Sequence, residues 1–310
     1  MELFFVLSSF SDFFSGIPTH EYRNSNSSIY QPSVGGIFVS FCRFSGVRAT
    51  GSGGAVFLSG SYSTLIEDTA FISCSSSGAS GAAYLEGNYG SVMNRICGYN
   101  TEASRMTFTC IASASGYESK IQDSSISRTI NGDCGIYQVA LATIKFSNTS
   151  DFTVPYISTL CTVNPEQYIA SYIHMVNNYA SNSISVNFDY GTGTRKISFV
   201  NMIKNNSPTR YGVLYNNGYY SVEDSIFYNN SDILFYSAGG SFDIYRCYIM
   251  HDNVLYGSVT IHSSYQIITS TLEISAIPNP LCQIMDKGTF MVESTRLNQP
   301  ILLLLFFSLA

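Results

Sequence analysis

Val213-Leu214-Tyr215, Leu234-Phe235-Tyr236 and Val254-Leu255-Tyr256 set the reading of this chain, because one triplet returns after 21 and then 20 residues. Between them lie Val222-Glu223-Asp224-Ser225 and Phe242-Asp243-Ile244-Tyr245, again about one period apart. Two or three strands of about five residues plus turns fill such a period. That is one coil of a parallel β-helix, in which each coil stacks on the last. A propeller blade needs about 40–45 residues, and a leucine-rich repeat carries a Leu-x-x-Leu-x-Leu pattern that is absent here.

Working outward, a Gly-plus-apolar step recurs at Gly35-Gly36-Ile37-Phe38, Gly53-Gly54-Ala55-Val56, Gly81-Ala82-Ala83-Tyr84, Cys134-Gly135-Ile136-Tyr137 and Gly212-Val213-Leu214-Tyr215. Short runs follow these steps. Leu65 to Cys74 and Ser221 to Asn230 are two of them, rich in β-branched and aromatic residues and closed by Asn, Ser or Cys. Small residues suit tight corners, where φ is often positive. Asn at a corner tolerates that geometry and builds side-chain ladders, so Cys74, Asn230 and Asn253, which close comparable runs, read as structural.

Composition narrows the class. Charged residues are 12% of 310, whereas an average soluble protein has about 25%. Apolar residues at 45% suffice for a core. A net charge of −6 without a Lys/Arg cluster denser than Arg195-Lys196 excludes nucleic acid as a partner. None of the eight cysteines forms a Cys-x-x-Cys pair, so no metal or other cofactor is expected. An even cysteine count and low charge lean towards an oxidising compartment. Sequons at Asn26, Asn148, Asn205 and Asn229 agree with a glycoprotein.

Three segments are expected: 1–32 as a degenerate signal or capping strand, 33–275 as the β-helix, and 276–310 as a cap with a short apolar tail. Met1 to Leu7 has the apolar part of a signal peptide without its positive flank. Ile301 to Leu309 would reach about 14 Å as a helix, against about 30 Å of hydrocarbon. This tail fits a truncated membrane anchor, the tail of a lipid-anchor signal, or a capping element.

Gly53-Gly54-Ala55-Val56 matches the Gly-Gly-Ala-aliphatic motif of the chlamydial polymorphic outer-membrane proteins, and Phe227-Tyr228-Asn229-Asn230 matches their Phe-x-x-Asn motif. Phe71-Ile72-Ser73-Cys74 is the same step with Cys in place of Asn. The Ser-, Cys- and Tyr-rich texture resembles the related β-helix surface proteins of trichomonads, whose cysteine-bearing linker coil is similar to Arg95-Ile96-Cys97-Gly98-Tyr99-Asn100. The resemblance covers about residues 33–260. It implies a right-handed parallel β-helix of pectate-lyase-like architecture, all-β, with coils of about 20–28 residues. It also implies a noncatalytic role at the cell surface, in adhesion or antigenic display.

The same architecture carries polysaccharide lyases and glycoside hydrolases, so an enzyme is the rival reading. Those enzymes use clustered Asp residues, a Gly-His-Gly turn and an Arg-x-Lys element. Here His20, His174, His251 and His262 lack flanking Gly pairs, and Arg195-Lys196 is adjacent rather than spaced. Glu67-Asp68, Asp123 and Glu223-Asp224 are the best acids. Neighbours in a strand point to opposite faces, so Glu67 and Asp68 alone do not form a cleft pair. The acids recur just before Thr69, Ser124 and Ser225, which reads as a corner of the repeat. His251-Asp252-Asn253 reads as a polar turn. Tyr215, Tyr219, Tyr220, Tyr228, Tyr236, Tyr245, Tyr248 and Tyr256 suggest a flank that stacks on sugar rings or meets a protein, against half-buried strand residues as the plainer account. The expected partner is a host or cell-surface protein or glycan, with the membrane reached only through the tail. A truncated, nonfunctional paralogue is the third reading.

Overall fold

In the computed structural model the described residues are 9–31, 35–188, 193, 195–208, 211–230, 233–250, 255–262 and 265–266. The apolar ends, His251-Asp252-Asn253 and Cys282 lie outside them. The chain is a right-handed parallel β-helix of about eight turns. Among the described residues every strand pairing is parallel, and helix is limited to a 3₁₀ turn at Phe10–Asp12.

The founding triplets stack as their spacing predicts. Leu214 pairs with Phe235 and then Leu255, and Tyr215 with Tyr236 and then Tyr256. Leu214 and Phe235 face inward and Tyr215, Tyr236 and Tyr256 outward, so the period-2 alternation of a strand becomes two columns along the axis. Val222 pairs with Ile244 rather than with Phe242, whose partner is Tyr220. The coils also vary in length, with 22 residues from Asp224 to Arg246 and 28 from Asn94 to Gln122. One core runs unbroken from Ile29 to Ile249.

Two corners repeat from coil to coil, and neither is made by the Gly steps. The first holds Asn24, Phe41, Asp68, Arg95, Asp123, Phe146, Tyr172, Phe199, Asp224 and Arg246, all at φ between 47° and 55°. The second holds Gly46, then Ser73, Asn100, Arg128, Asp151, Asn177, Lys204 and Asn229. A single left-handed residue bends the chain while the pairing continues on both sides. Strain of about 1–2 kcal/mol per residue is offset by that continuity. After the first corner, Thr69, Ser124, Ser147 and Ser225 turn inward, and each hydroxyl donates to the carbonyl two residues back. Cys42 and Cys247 do the same with a thiol. This is why the acids precede Thr or Ser.

Gly54 and Gly81 serve close approach instead. A Cβ on Gly54 would lie 2.0 Å from the Gly81 carbonyl oxygen. Gly35-Gly36 belongs to a different face. It makes room for the N-terminal segment, since a Cβ on Gly36 would meet Phe10 and Pro18. There Phe10, Phe13 and Phe14 cover an outward apolar strip of Phe38, Leu65 and Val92. The first coil already includes His20–Arg23, which pairs with Ile37 to Ser40, ahead of residue 33.

Phe71 and Phe227 occupy one inward column, and Cys74 and Asn230 follow the second corner in another. Asn178, Asn205 and Asn230 form a buried ladder there. Asn178 Nδ2 donates to Asn205 Oδ1 and Asn205 Nδ2 to Asn230 Oδ1, both at 3.0 Å. Their amides also donate to the carbonyls of Thr149, Met175 and Met202.

Candidate functional site

The left-handed corner changes what adjacent acids do. Because residue 68 breaks the alternation, Glu67 and Asp68 both point outward and reach the same side chain. Arg95, one coil on, holds Asp68 through Nε at 2.8 Å and Nη2 at 2.6 Å, and Glu67 through Nη2 at 3.0 Å. Glu67 is only 1% exposed. The expectation that strand alternation separates these two carboxylates is therefore corrected. Their convergence is consumed by one guanidinium, whose pKa is raised by its hydrogen bonds to Asp68. Asp123 occupies the next corner. Burial pushes its carboxyl up, opposed by Arg95 and Lys120.

The same motif returns near the other end. Arg246 grips Asp224 at 2.7 and 2.8 Å, and Lys196 meets Glu223 at 2.8 Å. Burial opposes ionisation of Glu223, but its bonds from Lys196 and Ser221 hold the carboxyl below its ordinary value. These acids are thus split between two distant ladders, each neutralised by a cation. Proton transfer needs a carboxyl within reach of substrate in the right protonation state, and acids clamped this way are poorly placed for it.

The three described histidines do not converge. His20 lies in the first coil and His262 in the last. His262 stacks on Tyr245 at 4.5 Å and sits 3.5 Å from Asp243. His174 is buried between the paired columns of Asn148 and Asn201. Arg195 lies in the core in register with Tyr168 and donates to the carbonyls of Gly193 and Pro165. Among the described residues no group of three His, Cys, Asp or Glu could hold a metal.

Burial lowers the His174 pKa from 6.5 to about 4. Above pH 6.5 the imidazole is neutral both folded and unfolded. Below it the unfolded chain takes up a proton that the folded chain refuses, so stability falls with pH. Between pH 7 and pH 5 this loss should be about 2 kcal/mol, read from urea midpoints. In His174→Gln it should shrink towards zero. Equal acid sensitivity in the two proteins would contradict the assignment.

Six described cysteines are buried thiols, and Cys97 is disulfide-bonded. Cys42 follows the first corner and Cys74 the second, so the two thiols stand in different columns. Burial raises the Cys74 thiol to about 11 and the Cys110 thiol to about 12, which leaves them unreactive. Of the sequons, Asn26 and Asn229 are exposed. Asn148 is buried, and Asn205 is buried with its amide nitrogen in the ladder, where a glycan on Nδ2 has no room.

Outward-facing aromatics form ladders. Tyr30, Phe57 and Tyr84 stack at 5.0 and 5.5 Å. Tyr215, Tyr236 and Tyr256 stack at 5.5 and 4.5 Å further along the same outward column. A third set sits on the first corner, where Phe146, Tyr172 and Phe199 stack at 4.8 Å with planes within 10°. In-register stacking turns ring faces onto one another and leaves edges and hydroxyls for solvent. A flat sugar-stacking platform is therefore not what these columns present. Tyr220 points into the core, Tyr248 is buried, and Tyr219 is exposed outside the ladder. The corner ladder was missed in the sequence, because nothing local marks residues 146, 172 and 199 as equivalent.

A cavity of about 350 Å³ lies between the N-terminal segment and the first coils, lined by Phe10, Ile17, Pro18, Phe38, Phe41 and Arg23 among others. Of its two acids, Glu21 pairs with Arg23 and Glu67 with Arg95. No family model, curated protein or solved structure matches this chain.

Proposed function

We propose that this chain is a noncatalytic β-helix protein displayed at a cell surface, where it acts in adhesion through multiple contacts along its length. The observation that carries this reading is the ridge of Phe146, Tyr172 and Phe199. Bulky residues in left-handed backbone cost about 1–2 kcal/mol each, and here Tyr172 and Phe146 remain 37% exposed. Continuous pairing offsets the strain at this corner whatever residue holds it, but it does not call for large rings left in water, and aromatic residues dominate interface hot spots. The edges offered by stacked rings suit a protein surface, where they meet carbonyl oxygens and other ring faces. The commitment of Glu67, Asp68, Glu223 and Asp224 to Arg and Lys partners favours this reading over a carbohydrate-active enzyme.

The test has two arms. Membrane-impermeant biotin on intact cells should label the full chain. The purified protein should bind cells, and Phe146→Ser/Tyr172→Ser/Phe199→Ser should reduce binding to background with its circular dichroism unchanged. An unlabelled chain would remove the surface role. Undiminished binding by the triple variant would remove the ridge, and cleavage of pectic or glycosaminoglycan polymers would install the enzyme instead.

A further inference from the structure

Two tyrosine contacts pair phenol with phenol in one outward column. Tyr215–Tyr236 and Tyr236–Tyr256 are near-parallel stacks of two phenols on adjacent coils, at 5.5 Å and 14°, and at 4.5 Å and 7°. The other ladders interpose phenylalanine, in Tyr30–Phe57–Tyr84 and Phe146–Tyr172–Phe199. Tyr89–Tyr117 is tilted by 47°, and Tyr168–Tyr220 is edge-on between buried rings. Tyr211 packs edge-on against both Tyr215 and Tyr236 at 5.7 and 5.5 Å and closes one side of the stack. Tyr256 is 54% exposed, so an oxidant reaches the stack from that end.

We propose that this column is a site of oxidative modification, in which Tyr236 couples to Tyr256, or to Tyr215, as dityrosine and staples adjacent coils covalently. A peroxidase with hydrogen peroxide removes one hydrogen atom from each phenol hydroxyl, and the peroxide is reduced to two waters. The two phenoxyl radicals couple through one ortho carbon of each ring. The hydrogen on each coupled carbon then moves to the phenol oxygen and restores aromaticity. The product lacks two hydrogens relative to the reduced pair, and no other co-reactant is needed. Register holds the partners opposite each other before any radical forms, so coupling within the chain outruns encounter between chains. Forming the bond requires both rings to turn out of the stack about their Cβ–Cγ bonds, so that an ortho edge of each faces the other.

This inference rests on the stack alone and not on the surface role, and its test uses purified full-length monomer. Treatment with horseradish peroxidase and hydrogen peroxide should give blue dityrosine fluorescence in a species that remains monomeric. Peptide mapping should join the Tyr236 peptide to that of Tyr256 or Tyr215. Tyr236→Phe keeps the stacking and removes the shared partner, and it should lose most of the fluorescence. Tyr219→Phe, at an exposed tyrosine outside the stack, should retain it. Oxidation in urea should abolish the intramolecular link. Links that map to other tyrosines, links only between chains, or equal yield from Tyr236→Phe would each overturn the proposal.

Discussion

Arg95→Met is expected to destabilise the coils around it by about 3–5 kcal/mol at pH 7, because removing one partner of a buried ionic cluster strands the others. Met keeps most of the aliphatic bulk, so the loss reports charge rather than volume. Glu67 and Asp68 have side chains only 1% and 3% exposed, and Arg95 makes three short ionic contacts with them. Since coils contact only their neighbours, the effect should be local. Amide hydrogen exchange is the suitable measurement. Protection should fall for Tyr62–Ile72 and Ser91–Tyr99, and stay unchanged near Ser241–Tyr245. The triple change Glu67→Gln/Asp68→Asn/Arg95→Met should recover a large part of the loss, as neutral groups are cheaper to bury. No change in protection for Arg95→Met would mean that the two acids are already neutral. The matching Arg246→Met change should have far less effect, because Arg246 and its carboxylates are more exposed.

Asn205→Ala is the second large effect, expected at about 3–5 kcal/mol from several unmet buried hydrogen bonds plus a small cavity. Asn205 Oδ1 accepts from the Asn178 amide N–H and from its Nδ2. Asn205 Nδ2 donates to the Met175 carbonyl. Ala leaves all of these without a partner where water does not reach. Chemical denaturation should show a lowered midpoint, while Asn26→Ala, at an exposed position, should match the parent. A midpoint shift no larger than that control would show that the ladder contributes nothing net. Asp at 205 should be worse than Ala, because a carboxylate cannot donate to the Met175 carbonyl.

Parts of this arrangement were legible in the residues themselves. The Val-Leu-Tyr, Leu-Phe-Tyr and Val-Leu-Tyr triplets gave the coil, and Phe71-x-x-Cys74 and Phe227-x-x-Asn230 gave a shared position after the second corner. The acids before Thr69, Ser124 and Ser225 gave a corner. Their local signal is the inward hydroxyl that bonds two residues back. Other parts were not legible. Tight corners suggest glycine, yet Asp, Arg, Phe and Tyr hold the first corner, because continuous pairing on both sides outweighs the strain at one residue. Gly35-Gly36 looks like the other Gly steps, and only its contacts with Phe10 and Pro18 set it apart. The Asn205 sequon reads as an acceptor until its amide is found in the ladder.

The sequence alone determined the repeat, the alternation of inward and outward residues, and the low-charge, tyrosine-rich surface. These depend on neighbours two to four positions apart and on composition, which any window of the chain exposes. The tertiary structure alone decided which residues become vertical neighbours, since coils that range from 17 residues (His20 to Ile37) to 29 (Ser185 to Leu214) bring together positions that no fixed period connects. It therefore decided that Arg95 neutralises Glu67 and Asp68, that Phe146, Tyr172 and Phe199 make one ridge, and that the outward tyrosines spend their ring faces on one another. The physical reason is that stacking energy is collected between coils, whereas the sequence is written along them.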